Sequence, residues 1–385
     1  MLDYGQKTGV AATSRGIWSD VKYIPSGVAT GSGAATGNVI QYSTDVGSAW
    51  VDSGAQTLKY SYSTSSKFNT EVVYGDAAAN ITYVRLGYLS NSPNTGIPII
   101  FFTNGAINSG QIMMAVRSTA SLTTKGTWTV RAIDASAGTT NRALEVSISP
   151  IDQVGLVYQG VTAPTANNIR FIYCSANCND PSQYISQDTL STSRIDNGAA
   201  ATQTRVGIGW CQISSGIYNP AVVYGASATT YQFAICKTGG AGNLLTSCAT
   251  NAGWTRTTAT MAATGASGIT SDLYLDPSIL GDTPKMMVKD VGGNQMKTFQ
   301  TSVGCSSVVA GTTYTAAGTS AIVGSGIANY ANSWFKILKA RDYTTPANER
   351  FFVVANDGTT GIRWSGSSTS TFTGAWYANA ATAIH

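Results

Sequence analysis

Histidine is all but missing from this chain. Its 385 residues hold one, His385, at the last position. That excludes an imidazole-based triad or a multi-histidine metal site. Glutamate occurs only as Glu71, Glu145 and Glu349. Charged residues make up 11% of the chain, against roughly a quarter in ordinary soluble domains. The net charge of +4 comes from scattered Lys and Arg without a run of one sign, so the electrostatic footprint of a nucleic-acid or anionic-membrane binder is absent. No stretch reaches the ~18 consecutive apolar residues of a membrane helix, and Met1 is not followed by a signal-peptide pattern. These absences predict a mature or trimmed segment with neither nucleic acid nor membrane insertion among its partners.

Glycine is abundant, at 41 residues, and is joined by 19 Tyr, 8 Trp and six cysteines, Cys174, Cys178, Cys211, Cys236, Cys248 and Cys305. "CSANC" and "CKTGGAGNLLTSC" place cysteines in turn-like stretches without the tight ligand cluster that zinc needs. Disulfides of an exported protein are expected, with buried free thiols as the alternative. Spacing alone does not dictate connectivity; the expected pairs are Cys174–Cys178, Cys236–Cys248 and Cys211–Cys305.

Helical periodicity is nearly lacking, while short β-branched and aromatic runs alternate with Gly, Asn, Ser and Thr clusters. The chain reads as all-β. The runs come in pairs: "IPIIFFTN" with "GQIMMAVRS", "QVGLVYQG" with "NIRFIYCSA", "NPAVVYG" with "TYQFAICKT", "TPKMMVKD" with "NQMKTFQTS", and "RFFVVAND" with "GIRWSGSS". Their first members recur about every 60 residues, a period that signals stacked or radial units. Residues 1–385 are therefore expected to form a single six-bladed β-propeller domain. A seven-bladed count is the alternative, because residues 58–89 hold more strands than one blade requires.

A second repeat has the same spacing. In "YSTDVGSAWVD", Ser43, Asp45, Gly47 and Trp50 read as a turn between antiparallel strands, with Asp45 accepting backbone N–H groups, Gly47 supplying a positive φ and Trp50 buried beneath. Trp128, Trp254 and Trp376 share the frame through Ser121 and Gly126, Ser247 and Gly253, and Thr369 and Gly374. Tyr314 joins them with Ser307 and Gly311, while a slot near Leu190 has no aromatic. In this respect the chain resembles the Asp-box, or BNR-repeat, propellers, the family that includes the sialidases. The aspartate is lost in the other copies, where Thr123, Ala249 and Thr371 stand. Sialidases also carry an aromatic-Arg-Ile-Pro tetrad whose arginine grips the substrate carboxylate. Here Ile24 and Pro25 match, but Lys22 and Tyr23 occupy the aromatic and arginine positions. The resemblance thus implies the fold without ordinary sialidase activity.

Arg15, Arg85, Arg142 and Arg205 each open a similar segment. At equivalent starts of innermost strands they would form a partial ring able to hold a carboxylate or sulfate; paired with neighbouring carboxylates, they would instead be staples between blades. Glycoside hydrolysis needs two carboxyls facing one cleft, or a Tyr–Glu pair opposite an acid. Asp20, Asp76, Asp276 and Asp342, with Tyr23 or Tyr343, offer candidates, yet Asp at strand ends is chiefly a turn former. No catalytic site assembles from the sequence. No cofactor is expected, and "CNDPSQ" and "VANDGTTG" leave calcium open without EF-hand spacing. The expected function is a secreted or cell-surface recognition or adhesion module for glycans or a protein partner. The alternative is a sialidase-like or other glycoside hydrolase.

Overall fold

The computed structural model describes residues 3–6, 19–23, 38–42, 45–52, 57–63, 68–75, 81–91, 95–104, 111–121, 124–134, 142–160, 168–186, 195–196, 203–227, 230–237, 245–260, 269–290, 295–317, 334–340, 349–356, 362–367, 372 and 376–378. The chain divides into two compact units, Met1–Ala137 and Gly138–His385. Among the described residues nearly all regular structure is antiparallel strand. No helix there is long and apolar enough to cross a membrane.

In the first unit, β1 (Asp3–Gln6) and β2 (Ser19–Tyr23) pair as a ribbon. Sheet I follows as an up-and-down meander of β3 (Asn38–Tyr42), β4 (Asp45–Asp52), β5 (Thr57–Ser63) and β6 (Phe68–Gly75). Sheet II repeats it with β7 (Ile81–Tyr88), β8 (Pro98–Asn104), β9 (Gln111–Arg117) and β10 (Trp128–Asp134). β7 lies against β3 and β4. Leu58, Tyr60 and Val73 of sheet I share a core with Val84, Ile100 and Phe102 of sheet II.

The second unit continues the pattern. Sheet III comprises β11 (Arg142–Ile148), β12 (Val154–Gly160), β13 (Asn168–Cys174) and the two-residue β14 (Ile185–Ser186). After β15 (Gln203–Arg205), sheet IV is built from β16 (Gly207–Ser214), β17 (Ile217–Gly225), β18 (Thr230–Cys236) and β19 (Trp254–Thr260). Sheet V has β20 (Ile269–Tyr274), β21 (Lys285–Asp290), β22 (Gln295–Thr301) and β23 (Tyr314–Ala317), with β15 added parallel to β20. Sheet VI ends the series with β24 (Trp334–Ala340), β25 (Arg350–Asn356), β26 (Ile362–Ser367) and β27 (Trp376–Ala378). First strand meets first strand down the line: β11 touches β16, β16 touches β20, and β20 touches β24.

Face-to-face stacking explains the strand sequences. A sheet with one wet face alternates apolar and polar residues, whereas one covered on both faces reads as a continuous apolar run. β8, β12 and β13 are buried along their whole length. Sheet IV sends Trp210, Val222 and Trp254 into a core with Phe171 and Tyr173 of sheet III, and Ala221, Val223 and Phe233 into another with Leu273 and Met286 of sheet V.

Two expectations need correction. Trp128, Trp254, Tyr314 and Trp376 each open the fourth strand of their sheet, but Trp50 lies within β4, a second strand. The Ser43–Trp50 frame does span a hairpin, since Tyr42 pairs with Asp45; that hairpin is the first of its sheet. The residue opening the fourth strand of sheet I is Phe68. Gly47 also plays another role than supplying a positive φ. It sits in the ladder opposite Ile40 and Tyr62, and a Cβ there would strike the Tyr88 hydroxyl and crowd the Tyr60 ring. Ser43 lies outside the described residues, as do the side chains of Asp45 and Trp50.

Candidate functional site

Three constellations bring ionisable or disulfide-bonded side chains together between strands and sheets. The first lies along the first strands of the second unit's sheets and the short β15. β11 bulges between Arg142 and Glu145, with Ala143 at φ +52°. β7 bulges in the same way between Thr82 and Arg85, with Tyr83 at φ +50°. Beyond the bulge Arg85 faces Phe101 and Glu145 faces Val157. The position that Arg85 holds in sheet II is thus held in sheet III by Glu145, while Arg142 lies across the bulge opposite Gln159. Arg85 and Arg142 are therefore not at equivalent positions: Arg142 stands before its bulge, where sheet II has Thr82, and Arg85 stands beyond its own.

Arg205 connects the neighbouring charges. Its Nε lies 3.0 Å from Glu145 Oε1, and its Nη2 is 3.6 Å from Asp272 Oδ1. Asp272 Oδ1 is also 3.2 Å from Lys336 Nζ, and Oδ2 accepts the Ile337 N–H at 2.7 Å. The result is a row of alternating sign, Glu145, Arg205, Asp272, Lys336, crossing from β11 to β24. Burial would lower the Arg205 pKa, yet the Glu145 and Asp272 carboxylates hold it above its usual value. The four charges cancel, and the row ties β11, β15, β20 and β24 together. Arg85 is buried in the first unit and donates to its neighbour's carbonyl, Val84 O. Arg15 and the Arg142 side chain lie outside the described residues.

A second constellation holds the loops that precede the fourth strands. Cys174–Cys178 and Cys236–Cys248 each tie the end of a third strand to the following loop, and Cys211–Cys305 ties β16 to the loop before β23. No cysteine is free. In sheet IV, Trp254 stands opposite Cys236 and donates its indole N–H to Cys248 O at 3.0 Å. In sheet III, Tyr184 donates its hydroxyl to Cys178 O at 2.9 Å. Tyr184 precedes β14 by one residue and supplies the aromatic for the slot near Leu190.

Sheet II reaches the same end without cysteine. Arg117, opposite Trp128, is fully buried and donates to the carbonyls of Thr119, Ser121 and Thr124 in the loop. Glu71 of sheet I receives Arg117 through two bonds, of 3.0 and 2.7 Å. It also accepts the Gly126 N–H, the Trp128 indole and the Tyr62 hydroxyl. Burial would raise the Glu71 carboxyl, but these donors hold it below the ordinary carboxylate range.

The third constellation lies between sheets V and VI. Lys339 Nζ is 2.6 Å from Glu349 and 3.9 Å from Asp276; Lys285 Nζ is 2.7 Å from Asp282. Both ammonium groups sit over the Phe351 ring. Burial pushes the Lys285 ammonium below its usual value, with Asp282 partly opposing. Asp276 and Asp282 also form turns, accepting from Ser278 N and Asp276 N respectively.

Of the other carboxyl and tyrosine candidates, Asp76, Asp342 and Tyr343 lie outside the described residues, as does His385, and Asp20 and Tyr23 are placed by backbone only, in β2. Asp180 of "CNDPSQ" caps the short 3₁₀ turn Pro181–Gln183 through Ser182 N. Among the described residues no group of three or more His, Cys, Asp or Glu side chains could hold a metal ion. Compared with known proteins, the chain matches no family model and no curated protein.

Proposed function

We propose that the chain is an exported or cell-surface recognition module, built as a six-bladed β-propeller of the Asp-box type, that binds a glycan or protein partner through the loops preceding its fourth strands. Six successive four-stranded meanders, with first strands in contact within each unit, support the propeller reading. An aromatic at or next to the start of the fourth strand in every sheet supports the kinship with Asp-box repeats, although none of these copies keeps the aspartate, which stands only in the first hairpin of sheet I. Three disulfides fit an oxidising compartment.

The observation that carries the reading is where the ionisable groups are spent. Glu71, Glu145, Asp272 and Glu349 are each ion-paired between strands or sheets. An acid–base pair needs carboxyls open to a substrate. The same chain invests three disulfides and the Arg117 clamp in fixing loops, which lowers the entropy lost on binding. A glycan array and a fluorogenic-glycoside screen on one preparation test this. Binding without turnover is expected. Turnover of a sialoside or another glycoside at enzymatic rates would favour a hydrolase, against the substitution of Tyr23 for the family's carboxylate-gripping arginine.

A further inference from the structure

The disulfides tie sheet IV to sheet V through Cys211–Cys305, and none of the three reaches sheet VI. At that junction stands Lys339 of β24. Its Nζ lies 2.6 Å from Glu349 Oε2, just before β25, and 3.9 Å from Asp276 Oδ2, in the loop between β20 and β21. One amine thus meets two carboxyls in different ways. Glu349 holds it at hydrogen-bond length, whereas Asp276 is beyond that length and in side-by-side contact.

Asp276 is fixed in its orientation. Its Oδ1 accepts the Ser278 N–H at 3.0 Å and the Ser278 hydroxyl at 2.6 Å, while its own N–H donates to Asp282 Oδ2 at 2.9 Å. Oδ2 is therefore the oxygen turned to Lys339. Water has little access, since the Lys339 and Asp276 side chains are 11% and 3% exposed. The buried Phe351 ring lies beneath Lys339, in edge contact with Tyr274 and Phe372.

We propose that Lys339 and Asp276 condense into a side-chain amide, a covalent cross-link between sheets V and VI. Glu349 takes a proton from the Lys339 ammonium, and the freed lone pair on Nζ attacks Asp276 Cγ. Negative charge then gathers on Oδ1, where the two Ser278 donors already point. The bond from Nζ to Cγ forms, the bond from Cγ to Oδ2 breaks, and Oδ2 leaves as water with two of the ammonium's protons, one of them carried by Glu349. Atoms and charge balance without an oxidant or reductant. Holding amine and carboxyl in one dry site supplies the driving force, because such proximity is equivalent to concentrations of ~10⁵–10⁸ M. Lys285 lacks this set of groups: its ion pair is with Asp282, three residues away, and its other bond goes to Thr283 O. With Cys211–Cys305, the amide would string sheets IV, V and VI on covalent ties. The proposal stands independently of the glycan or partner reading above.

Intact mass of the full chain, denatured and reduced, is the test. Reduction restores the hydrogens lost to the disulfides, so a remaining deficit of one water reports the amide. Protease digestion and tandem mass spectrometry should then yield a branched peptide joining the Asp276 and Lys339 segments. Lys339→Arg keeps the charge but cannot form the bond, and should return the full mass. Glu349→Gln retains both partners without the proton carrier and should return it too. The wild-type mass is read whether or not either variant folds. A reduced wild type at its full calculated mass overturns the proposal, as does a water loss that maps to other residues or survives in Lys339→Arg.

Discussion

Arg117 stands directly across the ladder from Trp128, the place that Cys236 holds opposite Trp254. Both residues end a third strand, and both hold down the loop leading to the fourth. Cysteine does so with one covalent bond, to Cys248. Arginine does so with three donations to loop carbonyls and a fork on Glu71. One mechanical task is met by two chemistries, which differ in how they respond to reductant and to acid.

The Glu71–Arg117 clamp should therefore be acid-sensitive. The folded-state pKa of Glu71 is depressed, so its stabilisation is fully present above the unfolded carboxylate value and is lost as pH falls through the folded one. Arg117→Ala leaves a buried carboxylate with its main partner gone, which typically costs about 3–5 kcal/mol. Urea unfolding at neutral pH should show that loss. Repeated at a series of acidic pH values, it should show Glu71→Gln flattening the acid limb of the stability curve.

The disulfides should rank by the chain they enclose. Sequence separations are 94 for Cys211–Cys305, 12 for Cys236–Cys248 and 4 for Cys174–Cys178. Loop-closure entropy predicts a contribution of about 4.7 kcal/mol near a hundred residues, about 3 kcal/mol near fifteen, and less below that. Paired Cys→Ala variants, unfolded without reductant, should follow that order. Intact mass of the untreated protein should lie about six hydrogens below that of the reduced chain, two for each bond.

Much of this was legible in the sequence, and the misses have local causes. Continuous apolar runs such as "IPIIFF" and "GLVYQG" marked strands buried on both faces, and their period marked the repeated sheets. Trp128, Trp254, Tyr314 and Trp376 were found because they recur at about one or two repeat lengths along the chain. Trp50 misled because a hairpin between a first and second strand has the same residue needs as one between a third and fourth. Tyr184 was missed because the repeat length stretches and contracts with the loops around it. The arginines were misaligned because Arg142 stands before its bulge, in the place of Thr82, whereas Arg85 stands beyond its own, in the place of Glu145, a difference that leaves no mark in composition.

Gly47 provides a steric test within the first unit. A methyl group there meets the Tyr88 hydroxyl, which itself lies 2.9 Å from the Tyr60 hydroxyl in the core between sheets I and II. Overpacking of this kind commonly costs about 1–3 kcal/mol. Gly47→Ala should lower the unfolding midpoint accordingly. Adding Tyr88→Phe, which removes the clashing oxygen, should restore part of the loss; a double variant no more stable than the single one would place the strain elsewhere.

The row from Glu145 to Lys336 separates a staple from an anion site. Arg205 is enclosed by Glu145 and Asp272, whereas the Lys336 side chain at the row's end is 43% exposed. Removing Arg205 as Arg205→Gln leaves two buried carboxylates without their shared cation, at a typical cost of about 3–5 kcal/mol. Lys336→Gln removes a solvent-screened partner and should cost about 0–1 kcal/mol. Neither change should affect sulfate or sialic acid binding, because the wild-type row is already neutral and isothermal titration calorimetry with these anions should register no binding there. A salt-sensitive association in the wild type that disappears in Arg205→Gln, with the unfolding midpoint unchanged, would instead show a guanidinium available to ligands, and the row would have to be reassigned as a binding site.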